Sequence, residues 1–251
     1  MKRILFFLTG TLLTLCALAQ DAATMAREGD DKYRTGDYAA AIESYETALA
    51  TGQGAAELYY NLGNAYYRTG ETARAILNYE RALRLKPGMK DAKENLELAN
   101  GQTVDRITEL PLWFGARWWN ALVTKVTPRV WRIVWLVLLA LLAVVFVVLR
   151  VVRDRGLRKW SLLAGVPTIV LLVLATVLMI ASTKHFNAHS EAIIMQESVS
   201  VKGSPEHQSV DKMILHGGTK VTIGESLQGW EKITIADGTS GWCESVALER
   251  I

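Results

Sequence analysis

Cysteine is almost missing from this chain of 251 residues, which has only Cys16 and Cys243. Cys16 falls in an N-terminal segment read below as removed. No intrachain disulfide is then available, and the folded parts must hold together by packing. Recognisable reaction chemistry is missing too. The sequence has no glycine-rich phosphate loop, no nucleophile elbow and no pair of carboxylates spaced for acid–base work. We therefore expect no catalytic residue, no cofactor and no enzyme activity. Cys243 would need a histidine base and an oxyanion site to act as a nucleophile; on a core-facing strand it reads as a small buried hydrophobe. His185 and His189 are four apart but have no third ligand with them, so no metal site is expected.

Acidic residues are scarce in one region. Residues 104–184 hold 11 basic and 3 acidic groups, whereas 20–103 hold 10 and 13, and 185–251 hold 5 and 9. The basicity belongs to the middle of the chain. A nucleic-acid binder would carry its basic patch on a folded domain, so no nucleic-acid partner is expected.

Charge vanishes altogether over two runs, 17 residues from Ile133 to Leu149 and 23 from Ser161 to Thr183. At about 1.5 Å rise per residue each crosses most or all of a hydrocarbon layer roughly 30 Å thick. The expected spans are 132–150 and 161–183, in contact with the lipid bilayer. Between them, a loop over 151–160 carries Arg153, Arg155, Arg158 and Lys159 just after Arg150, against one Asp154. Short basic loops stay in the cytoplasm, which puts both flanking parts outside it. The first 19 residues agree with that orientation: Lys2-Arg3, an apolar run from Ile4 to Leu15, then Ala17-Leu18-Ala19, the pattern of a cleaved secretory signal. Pro167 would lie near the start of the second span, where a missing donor does little harm.

Ahead of the spans the chain repeats itself at a period of 34. Tyr33-Arg34-Thr35-Gly36 aligns with Tyr67-Arg68-Thr69-Gly70, and Gly29, Ala41, Ile42, Tyr45, Ala48 and Leu49 align with Gly63, Ala75, Ile76, Tyr79, Ala82 and Leu83. The second copy resembles the tetratricopeptide repeat (TPR), with Tyr59, Leu62, Gly63, Tyr66, Ala75, Tyr79, Ala82 and Pro87 at that family's offsets. Small Gly63 and Ala75 would let two antiparallel helices approach closely. A TPR domain is expected over 20–103, with repeats at 22–55 and 56–89 and a polar capping helix over 90–100. Two repeats bury little, so this domain should lean on a partner, on a second copy or on the aromatic stretch that follows. The resemblance implies a concave groove for a peptide or helix, with Lys32, Arg34, Asn61, Asn64 and Arg68 as candidate lining residues.

Five of the eight tryptophans cluster at Trp113, Trp118, Trp119, Trp131 and Trp135, with Arg117, Lys125, Arg129 and Arg132 among them. The segment 104–131 reads as an aromatic, amphipathic approach to the bilayer surface. After Lys184 the signal turns to short β-branched runs, Ala192–Met195, Val199–Val201, Val221–Ile223 and Trp230–Ile235. Gly203-Ser204-Pro205, Gly217-Gly218 and Asp237-Gly238 punctuate them. Residues 190–251 read as a small β-barrel resembling the bacterial SH3 family, whose core Trp230 and Trp242 should largely fill. Its acidic balance suits a protein partner, or the chain's own TPR domain, better than anionic lipid.

The fold class expected is thus a multidomain membrane protein: an all-α TPR domain, a two-helix transmembrane hairpin and a small all-β SH3-like barrel. That order is similar to the BatE proteins of the aerotolerance (Bat) operon. The resemblance implies a scaffold or adaptor in a bacterial envelope complex, anchored in the inner membrane with both domains periplasmic. Its implied partners are membrane proteins with von Willebrand A domains and a BatD-like protein. Peptidoglycan is the alternative ligand of the SH3-like module, and accessory subunit of a membrane enzyme the other alternative role.

Overall fold

The computed structural model describes residues 22–52, 54–107, 113–187 and 190–251. The proposed signal segment lies outside the described residues, as do Leu110-Pro111-Leu112 and His189.

Two compact units form. The first joins the N-terminal part of the chain, up to residue 110, with residues 189–251; the second is residues 111–188. The first unit begins with helix α1 (residues 22–34) and four further helices, α2 (Tyr38–Ala50), α3 (Ala56–Arg68), α4 (Thr72–Leu85) and α5 (Lys90–Asn100). Asp37 caps α2 by accepting a hydrogen bond from the Ala40 amide at 3.1 Å, which satisfies one of the donors a helix start leaves over. α4 stops one residue before the Lys86-Pro87 peptide; proline disfavours a helical residue ahead of it. The close approach expected at Gly63 is real. A Cβ there would meet Tyr79 Cε1 at 2.7 Å, and one at Gly29, the matching position of the first copy, would meet Tyr45 Cε1 at 2.5 Å. Glycine at these two places lets a tyrosine ring of the paired helix lie flat on the backbone.

The helical core runs from Ala41, Tyr45 and Ala48 on α2 through Leu62, Ala65 and Tyr66 on α3 to Ala75, Ile76 and Tyr79 on α4 and Leu96 and Ala99 on α5. Ile193 and Ile251, far away in sequence, belong to the same core, and Met195 packs on it. The two repeats thus lean on the C-terminal part of their own chain, and the aromatic stretch after them belongs to the other unit.

That C-terminal part is a seven-stranded antiparallel sheet in the order β3-β2-β6-β5-β4-β1-β7. Its strands are β1 (Glu191–Ile194), β2 (Ser198–Lys202), β3 (Asp211–His216), β4 (Lys220–Leu227), β5 (Trp230–Thr234), β6 (Ser240–Glu244) and β7 (Leu248–Arg250). Ala192, Ile194, Val199, Val201, Leu215, Val221, Ile223, Ile233, Ile235, Cys243 and Ala247 form its core. Trp230 is buried, but neither tryptophan belongs to that core, and register gives the reason. Glu231 faces Cys243 and Lys232 faces Trp242 across the β5–β6 pair. Side chains alternate along a strand, so Trp230 and Trp242 stand on the opposite face from Ile233 and Cys243. Trp230 is buried there against the His207 ring, and Trp242 is half-buried.

Ion pairs, hydrogen bonds and a close-packed turn dock the sheet on α4 and the segment after α5. Arg81 donates to Glu249 Oε1 at 3.0 Å and to the Arg250 carbonyl at 2.8 Å, and Arg84 donates to the Ile251 carbonyl at 2.7 Å. Lys220 Nζ lies 3.0 Å from Glu80 and 3.1 Å from Glu191. Asp105 accepts from the His216 amide and the Thr219 hydroxyl, each at 2.6 Å, and His216 Nδ1 lies 2.8 Å from its other oxygen. Finally, the Gly217-Gly218 turn sits in a notch beside Ala73 and Ile76 of α4. Ile107 packs on the sheet core, so the start of the 104–131 segment contacts this unit through Asp105 and Ile107.

The second unit contains α6 (Phe114–Thr124), α7 (Pro128–Val151) and α8 (Arg155–Asn187). Both α7 and α8 are long and apolar enough to cross a membrane. They pack along each other, with Trp135 Nε1 donating to Thr176 Oγ1 at 3.1 Å. Trp131 Nε1 donates to the Leu122 carbonyl and Ser182 to the Val126 carbonyl, which fix α6 to the pair. The basic connection is shorter than the sequence suggests, residues 152–154, because Asp154 Oδ1 accepts from the Leu157 amide at 2.7 Å and starts α8 early. Pro167 consequently lies inside α8.

Candidate binding groove

Helices α1, α3 and α5 carry residues that line two adjoining hollows. One, of about 420 Å³, is lined by Asp30, Tyr33, Arg34, Tyr45, Asn61 and Asn64. The other, of about 270 Å³, shares Tyr33 and Asn64 and adds Tyr60, Tyr67, Arg68, Tyr79, Asn95 and Leu98. Together they make a polar, tyrosine-rich groove whose base is the pair Tyr45 and Tyr79.

A hydrogen-bonded ladder, repeated at the sequence period, holds this groove. The Tyr45 hydroxyl donates to Asp30 Oδ1 at 2.7 Å, and Asn61 Nδ2 donates to the same oxygen at 3.0 Å. Thirty-four residues later the Tyr79 hydroxyl donates to Asn64 Oδ1 at 2.8 Å, and Asn95 Nδ2 donates to that oxygen at 2.8 Å. Each rung ties one repeat to the next, since the second donor comes from the following helix of the α1, α3, α5 series. Burial drives the pKa of both tyrosines well above the ordinary phenol value, and for Tyr45 the bond to Asp30 adds to the rise. Both hydroxyls stay protonated donors.

Of the expected lining residues, Arg34, Asn61, Asn64 and Arg68 do line the hollows. Arg34 pairs with Asp31, and Arg68 donates to the Tyr38 hydroxyl at 3.2 Å while lying over its ring. Lys32 does not reach the groove. It donates to Ser44 at 3.0 Å and pairs with Glu28 at 2.8 Å, on the side of α1 that packs on α2. Sequence reasoning missed Asp30 and Asn95, although the period that made Asn61 and Asn64 candidates also relates Asn64 to Asp30 and Asn61 to Asn95.

Elsewhere the chemistry is structural. Cys243 is fully buried, and burial pushes its thiol up to about 11. His185 is exposed at the end of α8, and among the described residues no cluster could hold a metal ion. A further hollow of about 580 Å³ lies at the seam between repeats and sheet; of its charged walls, Glu80, Glu191, Asp105 and Lys220 are paired with each other or with the sheet, and Arg106 is exposed.

The tetratricopeptide-repeat family model matches residues 26–90. No curated protein matches the chain. The matched stretch covers most of α1 and all of α2 to α4, which carry the whole first rung and, of the second, Tyr79 and Asn64 but not Asn95 on α5. Tetratricopeptide repeats point to a role in protein–protein interaction.

Proposed function

We propose that this chain is a non-enzymatic, membrane-anchored scaffold that holds a segment of a partner protein in its repeat groove. The observation that carries the reading is the division of the repeat surface. The α4 face is taken by the chain's own sheet, while the groove, walled by tyrosines and amides, is covered by nothing among the described residues. A tyrosine- and asparagine-lined hollow offers a polypeptide flat apolar area with hydrogen bonds at low entropic cost.

The hairpin of α7 and α8 supplies the anchor in this reading, with the basic turn at residues 150–159 on the cytoplasmic side and both ends of the mature chain outside it. The C-terminal sheet is an SH3-like module used inside the chain, as a buttress for two repeats too few to stand alone. The similarity of domain order to BatE proteins supports an envelope complex of the Bat type, with von Willebrand A domain proteins and a BatD-like protein as candidate partners.

The test is affinity purification of the full chain from detergent-solubilised membranes, beside the variant Asn61→Ala/Asn64→Ala. Partners should co-purify with the first and be lost with the second. Equal recovery from both would remove the groove from the reading. Reporter fusions after Asn100 and after Ile251 should both behave as exported, and a cytoplasmic signal from either would remove the anchor topology.

A further inference from the structure

The two rungs of the ladder differ in one respect: the acceptor is a carboxylate at Asp30 and a neutral amide at Asn64. The geometry is otherwise the same. Tyrosine donates at 2.7 and 2.8 Å and asparagine at 3.0 and 2.8 Å, in each case to a single side-chain oxygen. The second rung shows that an amide is enough to build the ladder, so the negative charge of Asp30 is surplus to it.

The charge strengthens the hydrogen bonds Asp30 accepts, but among the described residues no cation pairs with it. Asp30 lies one turn from the C-terminal end of α1, where the helix dipole favours cations over carboxylates. Its two hydrogen bonds both fall on Oδ1, and among the described residues none falls on Oδ2. Arg34, the cation that lines the same hollow, is paired with Asp31. Asp30 is half-buried and lines the 420 Å³ hollow beside the ring of Tyr33. A carboxylate whose hydrogen bonds leave one oxygen available, in a hollow that an aromatic ring also lines, is a seat for a cationic nitrogen.

We propose that the first rung is a charge-reading subsite: Asp30, with Tyr33 alongside, receives a lysine or arginine side chain of the partner segment. The inference rests on the groove being the docking surface. The second rung, with Asn64 and Asn95, holds the neighbouring part of that segment without regard to charge. The register of the partner is then set by where its basic residue falls.

The experiment uses the detergent-solubilised full chain, immobilised, and four random-sequence peptide libraries with blocked ends that differ only in one fixed central residue: lysine, arginine, glutamine or glutamate. Retention of the lysine and arginine libraries should exceed that of glutamine by about tenfold, which corresponds to about 1.4 kcal/mol, with glutamate weakest. Asp30→Asn keeps both rungs, by the precedent of Asn64, and should bring lysine and arginine down to the level of glutamine in the same variant. Asn61→Ala/Asn64→Ala should lower all four together. Equal retention of the four libraries, or a lysine preference that survives Asp30→Asn, overturns the charge reading and leaves the groove standing. Retention of none overturns both. Unchanged circular dichroism of Asp30→Asn guards against a folding artefact; should that variant lose helix, Asp30→Glu, which keeps the charge, must retain the lysine preference or the proposal falls.

Discussion

Gly218 comes so close to Ile76 that a Cβ on the glycine would lie 3.0 Å from the isoleucine Cδ1, and 2.9 Å from Thr103 Cγ2. This turn, between β3 and β4, is where the sheet seats on α4, and its backbone has φ +93. Gly229 has a similar backbone, φ +85, with nothing near an added Cβ.

Gly218→Ala and Gly229→Ala therefore separate strain from docking. Both should lose stability from the left-handed conformation, about 1 kcal/mol. Only Gly218→Ala should also raise amide exchange along the outer face of α4, around Ala73, Ile76 and Glu80, in the full chain. Equal exchange in the two variants would mean that the turn does not hold the seam.

The seam should also have an acid and an alkaline limit. Burial alone would raise the Asp105 pKa, but the hydrogen bonds from Thr219 and His216 outweigh it and hold the carboxyl below its ordinary range. A carboxylate depressed in the folded state stabilises fully above its unfolded value, about 3.9, and the contribution is lost as pH falls through the folded value. Lys220 behaves inversely. Burial lowers its pKa, Glu80 and Glu191 raise it more, and the net shift is upward. Its contribution is full below about 10.4 and is lost as pH rises through the folded value. Protection factors for amide exchange at the α4 face, which take out the intrinsic pH dependence of exchange, should fall at both ends. Asp105→Asn should flatten the acid limb alone and Lys220→Gln the alkaline limb alone.

The unequal rungs predict unequal costs. Tyr79→Phe removes a neutral hydrogen bond, about 1 kcal/mol, and Tyr45→Phe one to a carboxylate, about 2 kcal/mol. In an Asp30→Asn background the cost of Tyr45→Phe should fall to that of Tyr79→Phe, which thermal midpoints of the four proteins would read as a coupling between positions 30 and 45. Additive midpoints would deny the Asp30–Tyr45 bond its charge-assisted strength.

Cys243 should be inert towards maleimide at neutral pH until the sheet unfolds, because a buried thiol with its pKa near 11 holds almost no thiolate. Mass spectrometry of the peptide containing Cys243 should show labelling only in denaturant. Fast labelling of the native chain would place the thiol outside the sheet core.

The 34-residue period and the two uncharged runs were legible because each is a local pattern that one element satisfies alone. A helix pair needs small residues at Gly63 and Ala75 wherever it folds, and a run such as Ile133–Leu149 is apolar on every side of its helix. Arg34, Asn61, Asn64 and Arg68 could be found the same way, from the spacing of the repeat. The sequence could not say which face of β5 and β6 carries the sheet core: both tryptophans looked like part of it, and the pairing of Glu231 with Cys243 sets them on the other face, where Trp230 is still buried. Nor could it decide that Lys32 turns towards Ser44 while Asp30, two residues earlier, lines the hollow, since that depends on how α1 is rotated against α2. Above all, only the tertiary structure placed Ile193 and Ile251 in the core of the repeats. Such a contact joins segments more than a hundred residues apart. It rests on shape and charge meeting across a surface, Gly218 against Ile76 and Lys220 against Glu80, and no periodicity in either segment encodes it.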